Sequence, residues 1–220
     1  MDKTLSRLTR AYGAWRWLGK MVLALWLLPA IAAAAPLKLV AIGDSLTAGY
    51  GLAEGEGFVP QLDAWLAEND SRDVEVVNMG VSGDTTAGGL ARLDWALGGG
   101  ADAVLVELGG NDLLRGIDPA VSRDNLDKLV GGLVARGLPV LISGMRAPGN
   151  YGPEYQESFN AMYPELAAAH DALYDPYFLE GVAEDRTLWQ ADGIHPNADG
   201  VAVIVNRIGP QIVELLDRIE

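Results

Sequence analysis

The sequence predicts one α/β domain of three layers, in which a parallel β-sheet lies between two layers of helices. Short apolar segments alternate with amphipathic segments along residues 37–219. The apolar segments lack the polar alternation of half-exposed strands, so they fit strands that are buried on both faces. Glycine-rich turns follow several of these segments. Strands and helices in this order are typical of a parallel sheet with right-handed crossovers.

Five strands and five long helices are predicted. The strands are 37–42, 74–77, 103–108, 139–143 and 172–174. Apolar residues at three- and four-residue spacing predict helices at 58–68, 85–97, 118–136, 154–170 and 198–219. Pro60 suits a first helical turn, whereas Pro164 is expected to kink its helix.

Composition narrows the classes of protein that remain. Half of the 220 residues are hydrophobic and 21% are charged, which is typical of a globular domain. The 16 basic and 30 acidic residues give a net charge of −14, which disfavours nucleic-acid binding. The chain has no cysteine, so disulfides and thiol nucleophiles are excluded.

Residues 1–35 are predicted to be a secretory signal peptide, and residues 36–220 are predicted to form the folded domain. A basic segment precedes the uncharged stretch 21–35, which ends in small residues. This stretch is shorter than the ~20 residues of a membrane span, although an uncleaved anchor is the alternative. Residues 1–35 hold five bases and one acid, so the remainder has 11 bases, 29 acids and a net charge of −18. The expected location is the periplasm or the exterior.

Polar residues follow the predicted strands, where ligand sites of parallel sheets lie. Ser45 follows the first strand, Gly80 the second and Asn111 the third, while Asp192 and His195 precede the last helix. Each alone is also explained as an ordinary turn or helix cap.

Together these residues supply the parts of an acyl-transfer site, namely a nucleophile, a base, a group that orients the base and oxyanion donors. Ser45 provides a hydroxyl and His195 a base. Asp192, three residues earlier, can orient the imidazole. The N–H groups of Ser45 and Gly80 and the amide of Asn111 can converge on a developing oxyanion.

Other chemistries find no support in the sequence. His170 lies in an alanine-rich helical segment and is assigned a structural role, so the two histidines do not suggest a metal site. There is no G-x-S-x-G elbow, no H-E-x-x-H motif and no phosphate-binding glycine motif after the first strand. We therefore expect neither a metal nor a cofactor.

Four blocks resemble those of the SGNH hydrolase superfamily, also known as GDSL esterases and lipases. They are Gly43-Asp44-Ser45-Leu46, Gly80, Gly109-Gly110-Asn111-Asp112 and Asp192-Gly193-Ile194-His195-Pro196, in this order within residues 37–215. Residues 106–116 and 145–152 are similar to a subgroup of periplasmic acyl-CoA thioesterases, lysophospholipases and arylesterases. The resemblance implies a flavodoxin-like five-stranded parallel sheet. It also implies Ser45 as nucleophile, Asp192 and His195 as the rest of a triad, and Gly80 and Asn111 in an oxyanion hole.

The expected function is that of a serine esterase acting through an acyl-enzyme on Ser45. The resemblance implies a broad range of aryl and acyl esters, acyl-CoA thioesters and lysophospholipids. An apolar substrate groove is expected from Leu113, Leu114, Ile117, Met145, Pro148 and Tyr151, with Tyr155 beside them. Ordinary loop packing is the alternative for these side chains.

Two alternative functions stay open, a carbohydrate O-deacetylase and a non-catalytic lipid-binding protein. The expected partner is a small-molecule or lipid substrate and not nucleic acid. The mature protein is expected to be a monomer without a membrane span.

Overall fold

The computed structural model describes residues 35–219, so the predicted signal peptide lies outside the described residues except for its last position. The strands are β1 (Leu37–Gly43), β2 (Val74–Gly80), β3 (Ala103–Glu107), β4 (Val140–Ser143) and β5 (Leu173–Asp175). All four pairings are parallel, and the strand order is β2-β1-β3-β4-β5. The predicted flavodoxin-like sheet is confirmed.

The strand register brings the five carboxyl ends together at one edge of the sheet. Gly43 of β1 is paired with Gly80 of β2 on one side and with Glu107 of β3 on the other. Glu107 is paired with Ser143, and Ser143 with Asp175. Loops that leave the strands at these residues therefore start side by side.

The helices form a layer on each face of the sheet. Their bounds are α1 (Ser45–Ala48), α2 (Phe58–Asn69), α3 (Thr86–Ala91), α4 (Leu93–Ala96), α5 (Gly110–Leu114), α6 (Pro119–Val134), α7 (Pro153–Ala169) and α8 (Ala198–Leu216). Short 3₁₀ turns cover Gly149–Tyr151 and Arg186–Leu188. Helix α2 packs on α8, whereas α6 packs on α3 and α7. Between the layers, residues 39–42 and 103–106 of the central strands are fully buried.

The predicted helix 85–97 is wrong, because it is interrupted at Arg92, which lies between α3 and α4. The Arg92 guanidinium donates to the carbonyl oxygens of Met79 (2.7 Å) and Gly43 (2.9 Å) and pairs with Asp84 (2.5 Å). Arg92 thus joins the ends of β1 and β2. Apolar periodicity could not show this, because it ignores where a polar side chain finds acceptors.

Other boundaries differ by a few residues. Strand β2 runs to Gly80 and not to residue 77, and α5 forms where only a turn was expected. Helix α7 runs past Pro164.

Within residues 35–219, none of the helices combines the length and the apolar character that crossing a bilayer requires.

Gly80 permits a close approach between β2 and α1. A Cβ atom at Gly80 would lie 2.3 Å from the backbone nitrogen of Ala48 and 2.8 Å from its Cα atom. Only glycine fits such a backbone contact without displacing α1.

We expect the substitution Gly80→Ala to lower the free energy of unfolding by about 1–3 kcal/mol, because α1 must move away from β2. Chemical denaturation measures the change. The control is Gly99→Ala, since a Cβ atom there would contact nothing within 4 Å. Equal stability of the two variants would show that the β2–α1 contact is not tight.

Candidate active site

The Ser45 hydroxyl is presented at the beginning of α1. The side chain of Asp44 caps this helix, because its Oδ1 accepts a hydrogen bond from the Leu46 N–H at 3.0 Å. Ser45 is half-buried, and its Oγ lies 2.9 Å from Nε2 of His195. The serine hydroxyl is thus within hydrogen-bonding distance of a histidine that follows it by 150 residues.

His195 and Asp192 share one turn before α8. The Nδ1 atom of His195 lies 2.7 Å from Oδ2 of Asp192. The other carboxylate oxygen, Oδ1, accepts from the N–H groups of Ile194 and His195, each at 3.0 Å. The hydrogen bond from His195, together with these N–H groups, lowers the pKa of Asp192 to about 2. At neutral pH Asp192 is therefore an anion that orients the imidazole.

His170 lies elsewhere, at the C-terminal end of α7. Its Nε2 lies 2.7 Å from Oδ1 of Asp127 on α6. Since α7 ends just before β5 begins, His170 is at the opposite edge of the sheet from Ser45. This placement supports the structural role that the sequence predicted.

The structure does not place Gly80 as an oxyanion donor. Its N–H donates to Oδ1 of Asn78 at 2.9 Å, and Gly80 does not line the cavity at Ser45. Gly83 does line this cavity, and its φ is +85°. Among residues 35–219 the Gly83 N–H donates to no acceptor, while its carbonyl oxygen accepts from Arg115 at 2.7 Å. Gly83 lies in the middle of the loop between β2 and α3, and the only sequence signal for it was that it is a second glycine, shortly after Gly80.

Asn111 extends from the first turn of α5 toward the nucleophile. Its Nδ2 donates to Oδ2 of Asp44 at 2.9 Å, which leaves a second amide hydrogen for a ligand. The neighbouring carboxylate of Asp112 is fully buried and accepts from the Thr86 N–H (2.8 Å), the Thr86 hydroxyl (2.6 Å) and the Ser122 hydroxyl (2.9 Å). Asp112 therefore anchors α5 to α3 and α6 and holds Asn111 in place.

A cavity of about 450 Å³ opens beside Ser45 and His195. Three predicted groove residues line it, namely Leu113, Leu114 and Met145. Sequence reasoning missed the other apolar and aromatic lining residues. Leu46 and Tyr50 come from the nucleophile segment, whereas four residues follow β5, namely Tyr177, Leu179, Trp189 and Ile194. The four residues after β5 have no regular periodicity, so no pattern in the sequence marked them.

Three other predicted groove residues lie outside the cavity: Ile117, Pro148 and Tyr151. The Tyr151 ring stacks on Tyr155, with ring centroids 4.9 Å apart. The Tyr155 hydroxyl donates to the carbonyl oxygen of Ile117 at 2.9 Å. Ordinary loop packing accounts for this cluster, and Pro148 is exposed to solvent.

A second carboxyl group, Glu107, is buried beneath the nucleophile helix. Its Oε2 accepts from the Thr47 hydroxyl at 2.8 Å and from the Asp44 N–H at 3.4 Å. Its Oε1 has no partner within the described part of the chain. Burial raises the pKa of Glu107 well above its usual range, and the charge of Asp44 adds to this. Both carboxylate oxygens of Asp44 accept a hydrogen bond, whereas Glu107 is fully buried and its Oε1 accepts none, so we assign the proton to Glu107.

We expect Glu107→Gln to gain stability relative to the wild-type protein as the pH rises above the ordinary pKa of a glutamate, because burial raises the pKa of Glu107 in the folded state. In that range the unfolded Glu107 has lost its proton while the folded one retains it, so the wild type loses stability with rising pH. Glutamine cannot titrate, and this dependence disappears. Urea denaturation at several pH values measures the difference. A stability difference independent of pH would contradict the assignment of the proton to Glu107.

A serine hydroxyl beside an imidazole that an ionised carboxylate orients, at the carboxyl edge of a doubly wound parallel sheet, defines a serine hydrolase of the α/β class. The sequence matches the GDSL-like lipase/acylhydrolase family over residues 41–203. The chain belongs to this family, as the four sequence blocks predicted, and it is an enzyme of the serine esterase type.

Individual relatives cover most of the chain. Esterase TesA of Pseudomonas aeruginosa is 43% identical over 184 residues, which is 83% of this chain and 91% of that protein. The thioesterase 1/protease 1/lysophospholipase L1 of Escherichia coli K12 is 39% identical over 187 residues, covering 84% and 88%. The crystal structure of AlinE4, an SGNH-hydrolase family esterase, is similar with a TM-score of 0.70 and 42% identity. It covers 83% of this chain and 98% of that chain.

Proposed function

We propose that the protein hydrolyses carboxylic esters and thioesters through an acyl-enzyme on Ser45. The observation that carries this proposal is the hydrogen-bonded series of Ser45 Oγ, His195 Nε2, His195 Nδ1 and Asp192 Oδ2, with separations of 2.9 Å and 2.7 Å. The series has the order of nucleophile, base and orienting group that acyl transfer requires.

In the first half of the reaction, His195 takes the Ser45 proton as Oγ attacks the carbonyl carbon. His195 then protonates the leaving alcohol or thiol, which departs as the acyl-enzyme forms. In the second half, His195 takes a proton from water, which attacks the acyl carbon and releases the acid. Asp192 stays ionised and holds the ring of His195 throughout.

Three donors are proposed for the oxyanion, namely the N–H groups of Ser45 and Gly83 and the free amide hydrogen of Asn111. The first is at the beginning of α1, where backbone N–H groups have no partner within the helix. Gly83 and Asn111 both line the cavity beside Ser45. Gly83 replaces Gly80 in the hole that the sequence predicted, whereas Gly80 acts by permitting the contact with α1.

The apolar cavity favours an acyl chain as the group bound next to the reacting carbonyl. Its leucine, methionine and aromatic lining matches an alkyl chain better than a sugar. This disfavours the carbohydrate O-deacetylase alternative, and the complete serine–histidine–aspartate series disfavours a non-catalytic binding role. Aryl esters, acyl-CoA thioesters and lysophospholipids are the proposed substrates, and relatives with esterase, thioesterase and lysophospholipase names support them.

The proposed location is the periplasm or the exterior, and the proposed oligomeric state is a monomer. The basic and apolar segments within residues 1–35 support export.

The proposed reaction is tested with purified protein and a series of p-nitrophenyl esters from acetate to palmitate, together with an acyl-CoA thioester and an acetylated sugar. We expect hydrolysis of the esters and the thioester, and a loss of at least ~10⁴-fold in kcat for Ser45→Ala. Full activity of the Ser45→Ala variant would show that Ser45 is not the nucleophile. Hydrolysis of the acetylated sugar alone would favour the deacetylase.

The acyl-chain cavity is tested with Leu114→Asp. We expect kcat/KM for decanoate esters to fall about tenfold or more, with acetate esters spared, because an aspartate removes apolar contact with the distal chain only. Trp95→Asp is the matched control, since Trp95 is equally exposed (65% against 63% for Leu114) and does not line the cavity. Equal losses on both esters would contradict the placement of the chain beside Leu114.

A further inference from the structure

The loop that carries His195 is joined to the nucleophile segment by a second side chain, that of Gln190. Within residues 35–219, two hydrogen bonds connect residues 189–196 to residues 44–57. One is the contact between His195 and Ser45, and the other runs from Nε2 of Gln190 to the carbonyl oxygen of Tyr50 at 2.8 Å. Gln190 thus provides the one hydrogen bond between these segments that is independent of the reacting groups.

Gln190 is fixed firmly to the loop of the base. Its backbone N–H donates to the carbonyl oxygen of His195 at 2.8 Å. The second hydrogen of its Nε2 donates to the carbonyl oxygen of Pro196 at 2.9 Å. Both amide hydrogens are therefore used, one within the loop and one across to Tyr50. A displacement of Gln190 would carry His195 and Pro196 with it.

Tyr50 is fixed just as directly to the nucleophile. Its N–H donates to the carbonyl oxygen of Ser45 at 3.0 Å, and its ring centroid lies 4.7 Å from that of His195. The next residue, Gly51, leaves room for Gln190, because a Cβ atom there would lie 2.3 Å from Gln190 Oε1. Hydrogen bonds thus run without interruption from the backbone of Ser45 through Tyr50 and Gln190 to the backbone of His195.

We propose that Gln190 is a positioning residue that sets the separation between Ser45 Oγ and His195 Nε2. The inference rests on the proposed function, since it assigns to Gln190 an effect on the same acyl transfer. Without the Nε2 donor, the loop of the base keeps the backbone hydrogen bond from Gln190 to His195 but loses the hydrogen bonds to Pro196 and, across to the nucleophile segment, to Tyr50. A misplacement of about 1 Å between reacting groups typically costs about 10²-fold in rate.

The test compares Gln190→Met with Gln61→Met. Methionine keeps the length of the side chain and removes both donors. Gln61 is a matched control, because its Nε2 also donates to two carbonyl oxygens, those of Glu56 (2.7 Å) and Ala198 (3.1 Å), and it is also half-buried. Its side chain donates to neither Ser45 nor His195.

We expect similar losses of Tm in the two variants, because each loses two comparable hydrogen bonds. For p-nitrophenyl butyrate, kcat should fall about 10- to 100-fold in Gln190→Met, with KM within twofold of the wild type. In Gln61→Met, kcat should stay within twofold. A kcat within twofold of the wild type in Gln190→Met, or an equal loss in both variants, would overturn the proposal.

Two further measurements separate this proposal from the proposed function. The rate at which a p-nitrophenyl alkylphosphonate modifies Ser45 should fall in Gln190→Met as kcat does. The chain has two histidines, so the ring-proton NMR signal of His195 can be followed with His170 as an internal reference. The His195 signal should shift in Gln190→Met and stay in place in Gln61→Met. A wild-type protein as inactive as Ser45→Ala would refute the proposed function. An unmoved His195 signal would refute the role of Gln190 in either case.

Discussion

The site depends first on the carboxylate of Asp44, which is buried where β1 ends. One oxygen caps α1 through the Leu46 N–H, and the other accepts from the amide of Asn111. The same group therefore fixes the start of the helix that carries Ser45 and the side chain of Asn111, a proposed oxyanion donor. It can do both because β1 and β3 are neighbours whose ends are in register, with Gly43 opposite Glu107. The pairing of β1 with β3 thus determines the relative positions of Ser45 and Asn111 through the side chain of Asp44.

This arrangement places two carboxyl groups, Asp44 and Glu107, in a poorly solvated region under the nucleophile. Burial raises the pKa of both, and hydrogen bonds from Leu46 and Asn111 oppose the rise for Asp44. Two adjacent buried charges repel each other strongly. A proton that stays on Glu107 avoids this repulsion and leaves Asp44 as the ionised group. Asp192 shows the reverse case, because it is open to solvent and its hydrogen bonds lower its pKa. Three nearby carboxyl groups thus differ in charge because their surroundings differ.

The sequence was sufficient for the parts of the structure that depend on strong local patterns. Buried apolar strands and amphipathic helices predicted the sheet. Polar residues after the strands predicted Ser45 and Asn111, and the turn before the last helix predicted Asp192 and His195. It failed where a residue acts through a distant partner. The interruption at Arg92 depends on carbonyl oxygens of other segments, Gly80 is needed for its lack of a Cβ atom, and Tyr177 reaches the cavity through an irregular loop. None of these contacts has a periodicity or a fixed spacing.

The base is the part of the site that no strand positions directly. Ser45, Gly83 and Asn111 follow β1, β2 and β3, whereas His195 lies within residues 176–197, which have no strand or α-helix. Hydrogen bonds within this segment hold it in place, together with helix α8, which follows it. Trp189 bridges to Pro196 and donates from Nε1 to the Val182 carbonyl oxygen at 2.9 Å.

Helix α8 is in turn anchored to the sheet, because Arg207 pairs with the fully buried carboxylate of Asp175 at the end of β5. The fold therefore fixes the distance from the sheet to α8, but the last few ångströms from α8 to Ser45 depend on side-chain hydrogen bonds. The nucleophile and the proposed oxyanion donors are thus positioned from the ends of strands, whereas the serine–histidine contact also depends on the loop of the base. Residues that join this loop to α1 are consequently the ones through which substitutions outside the reacting groups can reach the chemistry.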